Sequence, residues 1–288
     1  MGQERNEKLA IQKSNHAQLE VIQKCELGIL KEFIRICDKY GLKYFLVEGS
    51  LLGAVRHEGM IPWDDDIDVA LFRDDFDKFI EKARDELRKP YKCASFYEDK
   101  DRVNYLTQMS DNRTLVFTSY KRKEQVSPVW IDVFVIDGMP RKALPHFSHK
   151  LSLLYRKLML MWSNLDGFVV QRKGRPLYER VLIAIADKLQ LSRVISTKKQ
   201  LLKMDKTMRK IKVAPQNNTV NFMSEYKWKT EFPPEYYGDG KMVKFENLMV
   251  RVPVEAEKIL TSIYGDYNSL PPAEERYKHK LTLVSTKD

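Results

Sequence analysis

Apolar residues recur every three or four positions between residues 7 and 40: Leu19, Ile22, Cys25, Ile29, Phe33, Ile36 and Tyr40. That spacing predicts one long helix, or two shorter ones broken near Gly28, closed by Gly41 as a C-cap. The pattern then changes. KYFLVEG (43–49) reads as a short buried strand, and Ser50 stands where it would cap a helix over LLGAVRH (51–57). Gly59 and Pro62 interrupt the chain before IDVALF (67–72), a second strand. In DDFDKFIEKARDELRK (74–89) the helical period returns at Phe76, Phe79, Ile80, Ala83 and Leu87. VNYLTQMS and TLVFTSY (103–110 and 114–120) read as a hairpin turning at Asp111-Asn112-Arg113, and VWIDVFVID (129–137) as a further strand. Strands interleaved with helices in this way predict an α+β protein, a mixed β-sheet flanked by helices.

At Gly138-Met139-Pro140 the composition shifts. Residues 142–214 are helical in period and basic, and from 215 onward aromatic residues and prolines become frequent. Three segments are therefore expected: a core over 1–141 with its N-terminal helices, a basic helical elaboration over 142–214, and a C-terminal segment, 215–288, that completes the catalytic domain. The 288 residues carry a net charge of +10, which points to an anionic partner or simply to solubility. Three scattered cysteines and the lack of a signal-like apolar segment in MGQERNEKLAIQKSN predict a cytoplasmic protein, at most peripheral at the inner face of the membrane. The basic helices, with LSLLYRKLMLMW (151–162), fit either contact with an anionic leaflet or an ordinary packed subdomain with a basic outer face.

Against this basic background stands a knot of acid. Glu58, Asp64, Asp65, Asp66 and Asp68 fall within eleven positions. On an extended chain Asp64, Asp66 and Asp68 share one face, while Asp65 takes the other. Like charges about 6.5 Å apart repel by about 2.5 kcal/mol at an effective dielectric near 20, so the array calls for cations, protonation or solvent. A calcium loop counted from Asp64 fails, because it needs Gly and Glu where the chain has Val69 and Asp75. Divalent metal chemistry on phosphate fits better: carboxylates at i and i+2 on a strand end, a third from a neighbouring strand in Asp132, and an upstream Gly49-Ser50 step whose backbone would receive a phosphate. Asp137, just before Gly138, reads as a turn residue. The five histidines and three cysteines have no zinc spacing. YKHK (277–280) is a weaker candidate contact for an anionic substrate.

The string EGSLLGAVRHEGMIPWDDDIDVA (48–70) closely resembles the LicD family of phosphotransferases, and DNRT (111–114), IDVFVIDGMP (131–140), KFEN (244–247) and YGDYNSLPPAEER (264–276) are similar to further landmarks of that family. The chain departs from the family in Val126-Ser127-Pro128-Val129, which stands where a glycine-containing step is usual. The resemblance implies a nucleotidyltransferase-like fold, with Asp66, Asp68 and Asp132 as catalytic residues and ligands of Mg2+, or of Mn2+ in its place. Gly49 and Ser50 would cradle the donor phosphate, and Arg56 and His57 would neutralise the leaving phosphate, with a structural hydrogen bond as the other reading of His57. Asp64 and Asp65 are expected in supporting roles, and Trp63 in core packing. The implied reaction moves a phospho-alcohol such as phosphocholine from a CDP-linked donor to a hydroxyl of a cell-surface glycan, such as lipopolysaccharide, teichoic acid or capsule, or of its lipid-linked precursor. Two other readings stand beside it: a nucleotidyltransferase that uses an NTP and releases pyrophosphate, and a non-enzymatic basic binder of membranes or nucleic acid. The aligned carboxylates weigh against the last, because they repel phosphate unless a metal is bound, and no nucleic-acid partner is expected.

Overall fold

The computed structural model describes residues 2–99, 102–118, 125–169, 176–272, 276 and 281–286. YKHK (277–280) lies outside them, as do Arg172, Lys173 and Arg175 of the basic segment. Helix α1 (Gly2–Tyr40) is continuous and ends with Gly41 at φ +62°. Gly28 does not break it. A Cβ there would stand 3.2 Å from the Tyr91 hydroxyl, so the glycine serves a close contact and not a bend. Strand β1 (Tyr44–Leu46) follows, then α2 (Glu48–His57), β2 (Asp68–Phe72), α3 (Arg73–Glu86) and β3 (Tyr91–Ala94).

The expected hairpin at Asp111–Arg113 is not formed. Residues 107–118 are one strand, β4 (Thr107–Thr118), whose register against β5 (Gln125–Pro140) slips between Asp111 and Leu115. Asp111 accepts the Arg113 N–H at 2.9 Å, the local bond a turn would use, but here it closes a bulge within a strand. Strand β5 is also longer than expected. It runs straight through Val126-Ser127-Pro128-Val129 and through Gly138-Met139-Pro140, where β6 (Asn217–Val220) pairs with it.

Between β5 and β6 come α4 (Ala143–Ser163), the short α5 (Leu165–Phe168), α6 (Leu177–Lys188), α7 (Leu191–Val194) and α8 (Thr197–Met208). After β6, β7 (Lys241–Phe245) and β8 (Leu248–Val252) form a separate hairpin, and α9 (Ala256–Tyr264) and β9 (Leu281–Thr286) complete the described chain. The main sheet has the order β1-β2-β5-β4-β3, with β6 added on β5 and β9 on β4. Among the described residues only β2 and β5 run parallel; every other pairing is antiparallel.

The apolar stripe of α1 packs on this sheet and on α3. Ile22, Ile29, Leu30, Phe33 and Ile36 are all buried, and Phe33 meets Phe79 at 4.9 Å between ring centroids. Each such side chain contributes about 1.5–3 kcal/mol by leaving water. A second fixture is polar. The Arg73 guanidinium, at the start of α3, donates to both Asp137 oxygens at 2.7 and 2.5 Å and to Asp205 of α8 at 3.1 Å. Asp137 is therefore no turn residue: it is buried in β5 and holds a buried cation. Among the described residues no helix is long and apolar enough to cross a membrane.

Candidate active site

Parallel pairing of β2 with β5 places Asp68 directly beside Asp132. Alternation along both strands then turns the two carboxylates to the same face of the sheet. The register is pinned on both sides. Asp132 N–H donates to the Ile67 carbonyl at 3.0 Å, and Asp68 N–H donates to the Ser50 hydroxyl at 2.8 Å. Asp132 is oriented by Gln108 Nε2 at 2.8 Å and Trp130 Nε1 at 3.4 Å. Above them lies a cleft of about 680 Å3 lined by Gly49, Arg56, Asp64, Asp66, Asp68 and Asp132 among others. The cleft is thus lined by three separated parts of the sequence: the start of α2, the 64–68 loop and β5.

The acidic loop divides its labour. Asp66 and Asp64 face the cleft, and Asp64 Oδ2 would lie 2.7 Å from a Cβ at Gly49, so the glycine lets the loop close onto α2. Asp65 points the other way, buried, and accepts the Leu281 N–H of β9 at 3.3 Å. It ties the loop to the C-terminal strand. The loop is further braced by Glu246, at the β7–β8 turn, which accepts the Met60 N–H at 3.0 Å and donates its own N–H to the Glu58 carbonyl at 2.8 Å. That contact accounts for KFEN lying so far along the chain from the motif it serves.

Two expected contacts are placed differently. Ser50 does not cap α2, because the helix starts at Glu48 with Val47 in the cap position. Glu48 takes the strand-to-helix turn itself at φ +51°, a left-handed conformation that costs a non-glycine residue about 1–3 kcal/mol. The early turn sends the Ser50 hydroxyl down onto β2, away from the cleft, while Gly49 stays on its wall. His57 is likewise not among the lining residues. It accepts from Arg56 Nε at 3.0 Å and meets the Trp63 ring edge-on, which is the structural reading. Burial and the adjacent guanidinium lower its pKa. Arg56 does line the cleft and donates from Nη1 to the Tyr267 carbonyl at 2.8 Å. Trp63 lines it too, with the Arg276 guanidinium 4.6 Å above its ring.

Several cleft residues escape a reading of the sequence. The buried Glu48 lines the cleft with the aspartates, as do Glu225, Tyr226, Tyr264 and Tyr267. Glu26 of α1 is fully buried with both oxygens unbonded, and burial, then Asp66 and Asp65, hold its pKa well above the usual carboxylate range. Burial, followed by Asp66, Glu48 and Asp132, does the same to Asp68. Burial, with Glu225 and Asp132 close by, pushes Glu48 up to about 7. Partial burial and the nearby Lys227 push Lys157 of α4 down to about 8, with Glu48 opposing the fall.

A testable consequence follows for stability. Between the ordinary carboxylate value near 4.3 and about 7, the folded protein keeps the Glu48 proton that the unfolded chain has released. Stability therefore falls as pH rises through that window. In EDTA, urea unfolding of Glu48→Gln should show a flatter decline from pH 5 to 8 than the wild type; an identical slope would show that Glu48 is already ionised in the fold.

Residues 41–153 match the model of the LicD/FKTN/FKRP nucleotidyltransferase domain. Over 263 residues, 88% of this chain and 93% of the relative, the sequence is 28% identical to lipopolysaccharide cholinephosphotransferase LicD of Haemophilus influenzae. It is 42% identical over 55 residues to ribitol 5-phosphate transferase FKRP of Homo sapiens, a match that covers 18% of this chain and 11% of that protein. It is also 43% identical over 47 residues to the uncharacterized protein RP689 of Rickettsia prowazekii, which covers 16% of this chain and 18% of that protein.

Proposed function

We propose, for a chain that carries a LicD-family nucleotidyltransferase domain, a phosphotransferase that moves a phospho-alcohol from a CDP-linked donor to a glycan hydroxyl and releases CMP. The observation that carries this reading is the side-by-side register of Asp68 and Asp132 beneath a cleft headed by α2. A cleft of about 680 Å3 suits one nucleotide-sized ligand.

The donor set is right for a hard divalent cation such as Mg2+: carboxylate oxygens from Asp66, Asp68 and Asp132, and no His or Cys among the cleft residues. Among the described residues no three His, Cys, Asp or Glu side chains stand together as a group that could hold a metal ion, so the proposal of Mg2+ at Asp66, Asp68 and Asp132 rests on their residue types and on the register of Asp68 with Asp132. When bound, Mg2+ would neutralise phosphate charge and favour displacement at phosphorus. The chain supplies the rest. The first turn of α2, with Glu48 and Gly49 on the cleft wall, offers backbone N–H groups to a phosphate oxygen. Asp132, held by Gln108 and Trp130, takes the proton of the attacking hydroxyl as its oxygen bonds to the distal phosphorus. The bond from that phosphorus to CMP breaks, and Arg56 offsets the charge that CMP carries away.

The alcohol can be narrowed. Trp63, Tyr226 and Tyr264 line the cleft, and Glu225 adds a carboxylate. These favour a quaternary ammonium such as choline over a neutral polyol. The relative named for cholinephosphate and lipopolysaccharide supports the same choice of alcohol and a cell-envelope glycan as acceptor.

The test uses CDP-choline labelled at the distal phosphorus, with Mg2+ and a panel of envelope glycans. Label should pass to the acceptor with an equal amount of unlabelled CMP. Cytosine recovered on the acceptor would overturn the reading in favour of nucleotidyl transfer. Turnover of CDP-ribitol or CDP-glycerol in preference to CDP-choline would overturn the assignment of the alcohol alone.

A further inference from the structure

We infer that the helical segment between β5 and β6 is a docking face for an anionic lipid bilayer. The inference rests on surface exposure and charge and does not depend on the transferase reading. Over half of the exposed large hydrophobic residues among the described ones fall within residues 142–214. They are ordered. On α4 the exposed positions are Leu144 (79%), Phe147 (65%), Leu151 (57%), Leu154 (41%) and Tyr155 (52%), steps of three and four that make a single stripe. Leu153 and Leu160 are buried on the other side of the same helix, so the stripe is not a core face left uncovered by a missing element of the sheet. Helix α6 repeats the arrangement: Leu177, Val181 and Ile185 are exposed at intervals of four, and only Ala186 of that helix is buried. Scattered exposed apolar residues are ordinary on a soluble protein; a stripe on each of two helices of one segment marks an interaction surface.

The charge on these helices selects the partner. Residues 176–212 hold ten Lys and Arg against three Asp and Glu. On α8, exposed Lys199, Lys203 and Lys206 surround exposed Leu202. A second copy of the chain would bring the same cations face to face. Nucleic acid would leave the aliphatic stripes in water. An anionic leaflet meets both needs, taking Leu, Phe and Tyr side chains into the headgroup region while phosphates meet the lysines. With no membrane-crossing helix among the described residues, such contact is interfacial. Helix α4 also links this face to the cleft, since Lys157 on its inner side donates to the Phe222 carbonyl at 3.4 Å and is electrostatically tied to Glu48. The arrangement would hold the cleft next to an acceptor carried on a lipid.

Vesicle flotation of the full-length protein tests it, with phosphatidylcholine alone and with added phosphatidylglycerol, at low and high salt. The protein should float only with the anionic vesicles and be released by salt. Two triple variants should each lower the bound fraction at least tenfold without lowering the melting temperature: Leu144→Ser/Phe147→Ser/Leu151→Ser and Lys199→Glu/Lys203→Glu/Lys206→Glu. A wild-type protein that stays at the bottom of the gradient with anionic vesicles at low salt overturns the proposal. So does a wild-type dimer, seen by light scattering, that the apolar variant converts to monomer, because the stripe would then belong to a second copy.

Discussion

Asp66→Asn, Asp68→Asn and Asp132→Asn should each lower transfer by about a thousandfold or more at saturating Mg2+, while the metal-free protein stays as stable as the wild type or becomes more so. A metal that neutralises phosphate charge is worth several kcal/mol in the transition state, and about 4 kcal/mol corresponds to about a thousandfold in rate. The stability half of the expectation comes from burial. Asp68 is only 8% exposed and its pKa is held high first by burial and then by Asp66, Glu48 and Asp132. Ionising it at neutral pH costs the fold free energy that an amide of the same shape avoids. The bond from the Ser50 hydroxyl is to the Asp68 backbone, so the substitution leaves it in place. In Asp132→Asn the side-chain oxygen still accepts from Gln108 or Trp130. The measurements are turnover of labelled donor and thermal unfolding in EDTA. A variant that works within threefold of the wild type would remove that residue from the mechanism.

Five residues along the same strand, Asp137→Ala should behave in the opposite way: a loss of about 3–5 kcal/mol in stability, with transfer retained wherever the variant is folded. Removing one partner of a buried ion pair leaves the other charge without compensation. Here the stranded group is Arg73, itself 8% exposed, whose guanidinium gives two of its bonds to Asp137. Asp205 and the hydroxyls of Tyr97 and Tyr105 also touch Arg73 but cannot replace a bidentate carboxylate. At about 2–4 °C per kcal/mol for a chain of this size, the melting temperature should fall by roughly 10 °C. Arg73→Met in the Asp137→Ala background should recover part of the loss, because it removes the orphaned charge. Simple additivity of the two substitutions would show that the pair does not act as a unit.

The contrast between Asp132 and Asp137 marks what could be read in advance. Both lie in one apolar run, and nothing in the spacing separates a cleft carboxylate from a structural one. Asp132 was legible because it completes a pattern with Asp66 and Asp68. Asp137 was not, because its partner Arg73 is 64 positions away and is named by no motif. Ser50 shows a subtler limit. Its residue type suits a cap, but the backbone turned two residues early at Glu48, and a hydroxyl expected to face phosphate holds down a strand instead.

Local repetition in the chain was enough to indicate the α+β class, the helix α3 and the strand β2, because helical and strand periods decide which side chains share a face before any tertiary contact forms. The continuity of β4 through its bulge, the proton-holding surroundings of Glu26 and Glu48, the aromatic lining of the cleft and the outward stripes of α4 and α6 were decided only by the tertiary structure. Each depends on how far a residue is removed from water and on which distant segment covers it, and those are properties of packing that no short-range pattern contains.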